Sequence, residues 1–177
     1  MEVFREHWWG FATLPEGLEQ PYRGEDNPMT LVCQFALGEG AVWVFADMDY
    51  WFGDIEAESG RLGEWDRDFY RVLYAPKREN LHLHEIRYED GRCAVSEAIP
   101  MSSKQSEAGG SHVLGPATAW TDEIEQDYPG YEVLLQLEED DEIGLRFYDC
   151  GSVFFLIKKA DLEARRFENV KCVLYSF

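Results

Sequence analysis

The chain has 177 residues, 45% of them hydrophobic and 15% aromatic, with 35 acidic against 16 basic side chains and a formal net charge of −19. That length and apolar content fit a single folded domain spanning residues 1–177 with a sizeable core, and they exclude a disordered chain. The charge repels phosphate backbones and anionic lipid. It therefore argues against nucleic acid and membrane as partners, and it serves either solubility or attraction of a basic protein or a cation.

Met1 leads straight into Glu2-Val3-Phe4-Arg5-Glu6 with no apolar h-region, and no run reaches the ~18 apolar residues of a membrane span. Residues 8–27, rich in Gly, Pro and charge, read as an ordered loop pinned by Trp8, Trp9 and Phe11. A strand follows from Met29 to Leu37, with Met29, Leu31, Cys33, Phe35 and Leu37 on one face and Thr30, Val32, Gln34 and Ala36 on the other. Gly38-Glu39-Gly40 turns the chain into Ala41–Ala46, an almost continuous apolar strand with both faces covered. The stretch from Asp47 to Arg71 is acidic and weakly patterned, with Trp51, Phe52, Trp65 and Phe69 interspersed. A short strand is expected at Tyr70–Tyr74, and a tight hairpin around Asp90-Gly91 between Leu81–Tyr88 and Arg92–Glu97. Residues 102–111, polar and containing Gly109-Gly110, read as a linker loop. Strands are expected at Tyr131–Leu137, Ile143–Tyr148, Val153–Ile157 and Val170–Phe177, and a short helix at Ala160–Phe167. The fold class is thus mainly β, an α+β chain with few short helices.

The two halves, about 8–101 and 112–177, echo each other. Gly10-Phe11-Ala12-Thr13 and Gly115-Pro116-Ala117-Thr118 open them, and each then places a lone Gln, Gln34 or Gln136, inside an apolar strand. Gly10 to Gln34 spans 24 positions and Gly115 to Gln136 spans 21. This order points to a diverged duplication of one β-rich unit. Two roles are open to the glutamines: each amide ties the Gly-x-Ala-Thr segment to its strand, or the pair faces a shared cleft and holds a ligand.

Pro28-Met29-Thr30-Leu31-Val32-Cys33-Gln34-Phe35-Ala36-Leu37 resembles the Pro-Leu-x-Phe-Leu-x-Gln-Ile-x-Leu block of the YwqG-like family of uncharacterised bacterial proteins, DUF1963. Leu134-Leu135-Gln136-Leu137-Glu138-Glu139-Asp140 is similar to its Leu-Leu-Gln block. Asp149-Cys150-Gly151-Ser152 through Ile157, then Asp161-Leu162 and Arg166-Phe167, resemble its closing block, and Leu14-Pro15 matches a segment near its start. Phe147-Tyr148-Asp149 stands where the family usually has Trp-Gly-Asp. The resemblance implies a β-roll and no particular activity.

Motifs for nucleophilic catalysis, phosphate binding or dinucleotide binding are absent from the sequence. Cys33, Cys93, Cys150 and Cys172 form no C-x-x-C pair and read as reduced thiols in a cytoplasmic protein, packed as small core residues. His82 and His84, two apart on a strand, share a face, but no third ligand stands at a metal-binding spacing. Asp140-Asp141-Glu142 lacks the pattern of a calcium loop. No cofactor is therefore expected.

Two functional readings remain. The first is a non-catalytic, acidic protein-binding domain, in an inhibitor or immunity-type role toward a basic partner, using Trp51, Glu56, Glu58, Glu64 and Trp65. The second is a small-ligand binder or enzyme using a cleft between the repeats around Gln34, Gln136, Asp149 and Trp120.

Overall fold

The computed structural model describes residues 2–47, 62–86, 97–101, 110–141 and 144–177. They are mainly β and divide into two compact units. Unit 1 takes residues 2–47, 68–86 and 97–101; unit 2 takes residues 62–67, 110–141 and 144–177.

Unit 1 contains β1 (His7–Trp8), β2 (Ala12–Pro15), β3 (Tyr22–Arg23), β4 (Asn27–Pro28), β5 (Thr30–Leu37), β6 (Gly40–Ala46), β8 (Tyr70–Ala75), β9 (Leu81–His84) and β10 (Ile99–Pro100). Its main sheet runs β10-β1-β5-β6-β8, with two-stranded ribbons β2-β9 and β3-β4. Unit 2 holds β7 (Gly63–Glu64), β11 (His112–Val113), β12 (Tyr131–Glu138), β13 (Ser152–Lys158) and β14 (Lys171–Tyr175), in the order β11-β12-β13-β14-β7. Helix α1 (Thr121–Asp127), helix α2 (Lys159–Glu163) and a 3-10 turn at Phe167–Asn169 complete it.

The long strands lie where the apolar runs put them, to within about two residues at each end. Residues 8–27 are not a loop: β1, β2 and β3 lie within or at the edge of that stretch, in pieces too short to show a period. Of the strand expected at Ile143–Tyr148, Ile143 lies outside the described residues, and residues 144–148 contribute an isolated bridge between Leu145 and Asp140. The expected helix at Ala160–Phe167 stops at Glu163. The Asp90-Gly91 hairpin and nearly all of the 102–111 linker lie outside the described residues; of the first hairpin strand, Leu81–His84 is a strand and pairs with Ala12–Pro15. Nor does a sequential split into halves hold for Gly63–Glu64, which pairs with β14 at Val173 and Leu174.

One correction bears on the site. Strict alternation along β5 places Gln34 opposite Leu31, but the ladder shifts between Leu31 and Cys33. Leu31 pairs with Phe45, and Gln34 with Trp43. A bulge inserts one extra residue and so reverses which face the following side chains take. Gln34 therefore joins the face formed by Leu31, Trp43 and Phe45, which packs with Ala12, Leu14 and Met29.

Candidate functional site

Both units build a buried glutamine network. In unit 1, Gln34 is fully buried. Its Oε1 accepts from the Thr13 backbone N–H at 3.0 Å and from Trp43 Nε1 at 3.2 Å, while Nε2 donates to Thr13 Oγ1 and the Arg5 carbonyl, both at 2.8 Å. In unit 2, Gln136 is also fully buried. Its Oε1 accepts from the Thr118 N–H at 3.0 Å, and Nε2 donates to Thr118 Oγ1 at 2.7 Å and to the Glu138 carboxylate. Both N–H groups of each amide are thereby committed, and none is left for a ligand.

The likeness extends around each glutamine. His7 pairs with Gln34, and His112 with Gln136. The ladder shifts between Leu31 and Cys33 in one unit and between Val133 and Leu135 in the other. Trp9 and Leu114 take left-handed backbone, φ 56° and 52°, and their N–H groups donate to Val32 O and Leu134 O, both at 3.0 Å. That conformation costs a bulky residue about 1–2 kcal/mol, so the surroundings must enforce it twice. His7 Nδ1 lies 2.7 Å from Trp9 O, and burial lowers the ring's pKa below its ordinary 6.5. His112 lies within hydrogen-bonding distance of two carbonyls, Gly110 O at 2.9 Å and Pro116 O at 3.0 Å.

Beyond this frame, unit 2 carries an aromatic and acidic surface. Helix α1 lays Ile124 on Val133, Phe154, Leu156 and Val173, flanked by half-buried Trp120, Tyr128, Tyr131 and Tyr175. Trp120 stacks on Tyr175 with centroids 5.7 Å apart, and meets Phe177 at 4.6 Å. Tyr128 donates to Glu64 Oε2 at 3.0 Å, and Tyr175 to Asp127 Oδ2 at 2.9 Å. Partial burial, followed by those carboxylates, pushes both phenols well above their ordinary value of 10.0. Two lysines already sit on rings of this surface: Lys171 Nζ is 5.5 Å from the Tyr128 centroid, and Lys158 Nζ is 5.4 Å from that of Tyr131. Lys171 also pairs with Glu64 at 2.8 Å.

A groove of about 700 Å³ opens beside the helix. Leu114 to Ala117 form one wall, Thr121, Ile124, Glu125 and Tyr128 another, and Gly130 to Val133 with Leu162 complete it. Its size is that of a ligand or side-chain site. Among the described residues its charged lining groups are the exposed carboxylates of Glu125 and Glu132.

Among the residues singled out from sequence, Gln34 belongs to unit 1 and Gln136, Asp149, Trp120, Glu64 and Trp65 to unit 2. Trp120 belongs to the aromatic surface. Asp149 is exposed in the turn before β13, outside the groove lining, and its backbone N–H donates to Ser176 Oγ at 3.1 Å. Glu64 lies on the aromatic surface, whereas Trp65 is 6% exposed, so its indole is core and not a docking ring. Trp51, Glu56 and Glu58 lie outside the described residues, as does Cys93. Cys33 and Cys172 are buried, and burial raises their thiol pKa values; Cys150 is exposed and corrects the reading of it as a core residue. His82 is exposed and His84 half-buried, and no cluster of three metal-ligating side chains exists among the described residues.

Sequence reasoning missed α1. Its seven residues hold one apolar side chain, but Trp120, Ile124 and Tyr128 recur at the four-residue spacing of a helix face. Also overlooked was the lack of any Lys or Arg from residue 105 to 145, the segment containing α1 and most of the groove.

These features define a mainly β protein whose paired glutamine networks are structural and whose exposed chemistry is aromatic and acidic. The model of a domain of unknown function, DUF1963, matches residues 69–175, and the chain belongs to that family. The match includes the Leu134–Asp140 and Asp149–Ile157 blocks. In the second block Gly151 is held against the Phe147 carbonyl, where a Cβ would collide. No curated protein matches the sequence.

Proposed function

We propose that this protein is a non-catalytic binding domain for a basic protein, and that unit 2 carries the recognition surface. The observation behind this reading is that rings and carboxylates share one surface there, with Lys158 and Lys171 already resting on Tyr131 and Tyr128. A surface that holds its own ammonium groups in this way suits those of a partner, since cations favour aromatic faces and carboxylates steer them in. The overall charge of −19 adds long-range attraction. An inhibitor or immunity-type role is one form such binding takes. The buried free thiols of Cys33 and Cys172 support a reducing, cytoplasmic setting.

The same proposal includes descent of the two units from one duplicated β unit. Its support is the shared register of His with Gln, the shared Gln–Thr bonds and the bulge at the same place in each sheet.

The test is retention from a lysate of the source organism on immobilised protein, eluted with rising salt. A specific basic protein should leave at moderate salt and be held less by an Asp122→Lys, Glu123→Lys, Glu125→Lys variant. Retention indifferent to both salt and charge reversal would overturn the reading.

A further inference from the structure

The groove of unit 2 combines three features that narrow what it takes. Its floor is apolar, with Ile124 and Val133 buried and Leu114 and Ala117 on the wall. Its charged groups, Glu125 and Glu132, are both carboxylates. It also runs along an open sheet edge: β11 pairs with β12 only at Leu135 and Gln136, with Leu114 N–H reaching Leu134 O. Among the described residues, Tyr131 to Val133 have β13 on one side and no strand on the other. An extended chain can add to such an edge.

An aliphatic stem ending in a cation matches the first two features, since lysine and arginine lay their methylenes on apolar surface and keep the charge in contact with water or carboxylates. The sheet edge calls for peptide backbone in addition. We propose that the groove holds one arginine or lysine side chain of an extended segment of a partner protein, its stem on Ile124 and Val133, its charge at Glu125 and Glu132, and its backbone along Tyr131–Val133. This inference rests on the reading of unit 2 as an acidic recognition surface and names the part of the partner that enters it.

The experiment is an NMR titration of the isotope-labelled full chain with three probes: the blocked pentapeptide Gly-Val-Arg-Val-Gly, the same peptide with neutral citrulline in place of arginine, and blocked single arginine. The arginine peptide should shift the backbone signals of Ala117, Tyr131 and Glu132 saturably. Citrulline should weaken binding at least tenfold, as should a Glu125→Gln, Glu132→Gln variant with unchanged melting temperature. Single arginine should bind at least tenfold more weakly than the peptide. Equal affinity for the arginine and citrulline peptides, absence of saturable shifts, or shifts confined to residues away from the groove would overturn the proposal. Equal affinity for single arginine would overturn the partner segment in favour of a small amine. If the double Gln variant still retains a basic protein in a salt-dependent way while the peptide arms fail, the groove proposal falls and the broader reading stands.

Discussion

Units 1 and 2 share a frame and differ in its cover. Each sets a buried glutamine beside a two-residue strand that bears a histidine and uses the amide to anchor a threonine on the returning segment. In unit 1 the face of that sheet is closed. The β2-β9 ribbon packs fully buried Ala12 and Leu14 on it, and Trp43 adds hydrogen bonds from Nε1 to Thr13 O and Gln34 Oε1. In unit 2, Phe154 stands opposite the glutamine where unit 1 has Trp43, and a seven-residue helix with one buried side chain replaces the ribbon. The rings left half-covered around it form the aromatic surface. The frame therefore explains folding, and the cover leaves unit 2 with the exposed aromatic and acidic surface on which the proposed recognition rests.

Removing the amide tests the frame hardest. Gln34→Ala should cost about 3 kcal/mol in urea unfolding, because it strands the buried Thr13 N–H and breaks four hydrogen bonds at once. Gln136→Ala should cost less, about 2 kcal/mol, since it breaks three and its lost acceptor Glu138 keeps a hydrogen bond from Ser152. A larger loss at Gln136 would break the contrast between a closed and an open network. Trp43→Phe should make unit 1 resemble unit 2 at a cost of about 1–2 kcal/mol, from the lost indole bonds and volume.

The shared frame was half visible in the sequence. Val153–Ile157 and Ala41–Ala46 are apolar enough to declare themselves as buried strands, and a lone Gln stands in each of the two similar networks. The face of Gln34 was not legible, because alternation carries no mark of the bulge that reverses it. β1 and β11 have two residues each, a single period with no repetition to detect, and are fixed by pairing with β5 and β12. The groove was hidden for a related reason. Its walls come from Leu114–Ala117, α1 and the start of β12, segments separated in sequence, and only the spacing of Trp120, Ile124 and Tyr128 hinted at a helix between them.

Partial burial of Tyr128 and Tyr175, together with their hydrogen bonds to Glu64 and Asp127, gives the open cover a pH signature. Folding raises both phenol pKa values, so as pH rises through about 10 the unfolded chain loses these protons first. Their stabilising contribution is full below that pH and is lost progressively above it. Thermal unfolding between pH 9 and 11 should therefore decline less steeply in a Tyr128→Phe, Tyr175→Phe variant than in the parent. Identical slopes would mean that the bonds to Glu64 and Asp127 do not hold in solution.

The smallest expected effect on stability is the most informative about function. Lys171 pairs with Glu64 at 2.8 Å and lies over the Tyr128 ring, but the side chains of Lys171 and Glu64 are 34% and 44% exposed. An ion pair so well hydrated contributes little, so Lys171→Met should lower stability by under about 1 kcal/mol, and added salt should shrink the difference. The substitution also removes a resident cation from the surface proposed to receive one. Retention of a basic partner should then persist to higher salt than with the parent protein. A stability loss of several kcal/mol with no gain in retention would assign Lys171, Glu64 and Tyr128 to structure, and would make the open cover of unit 2 as closed in function as that of unit 1.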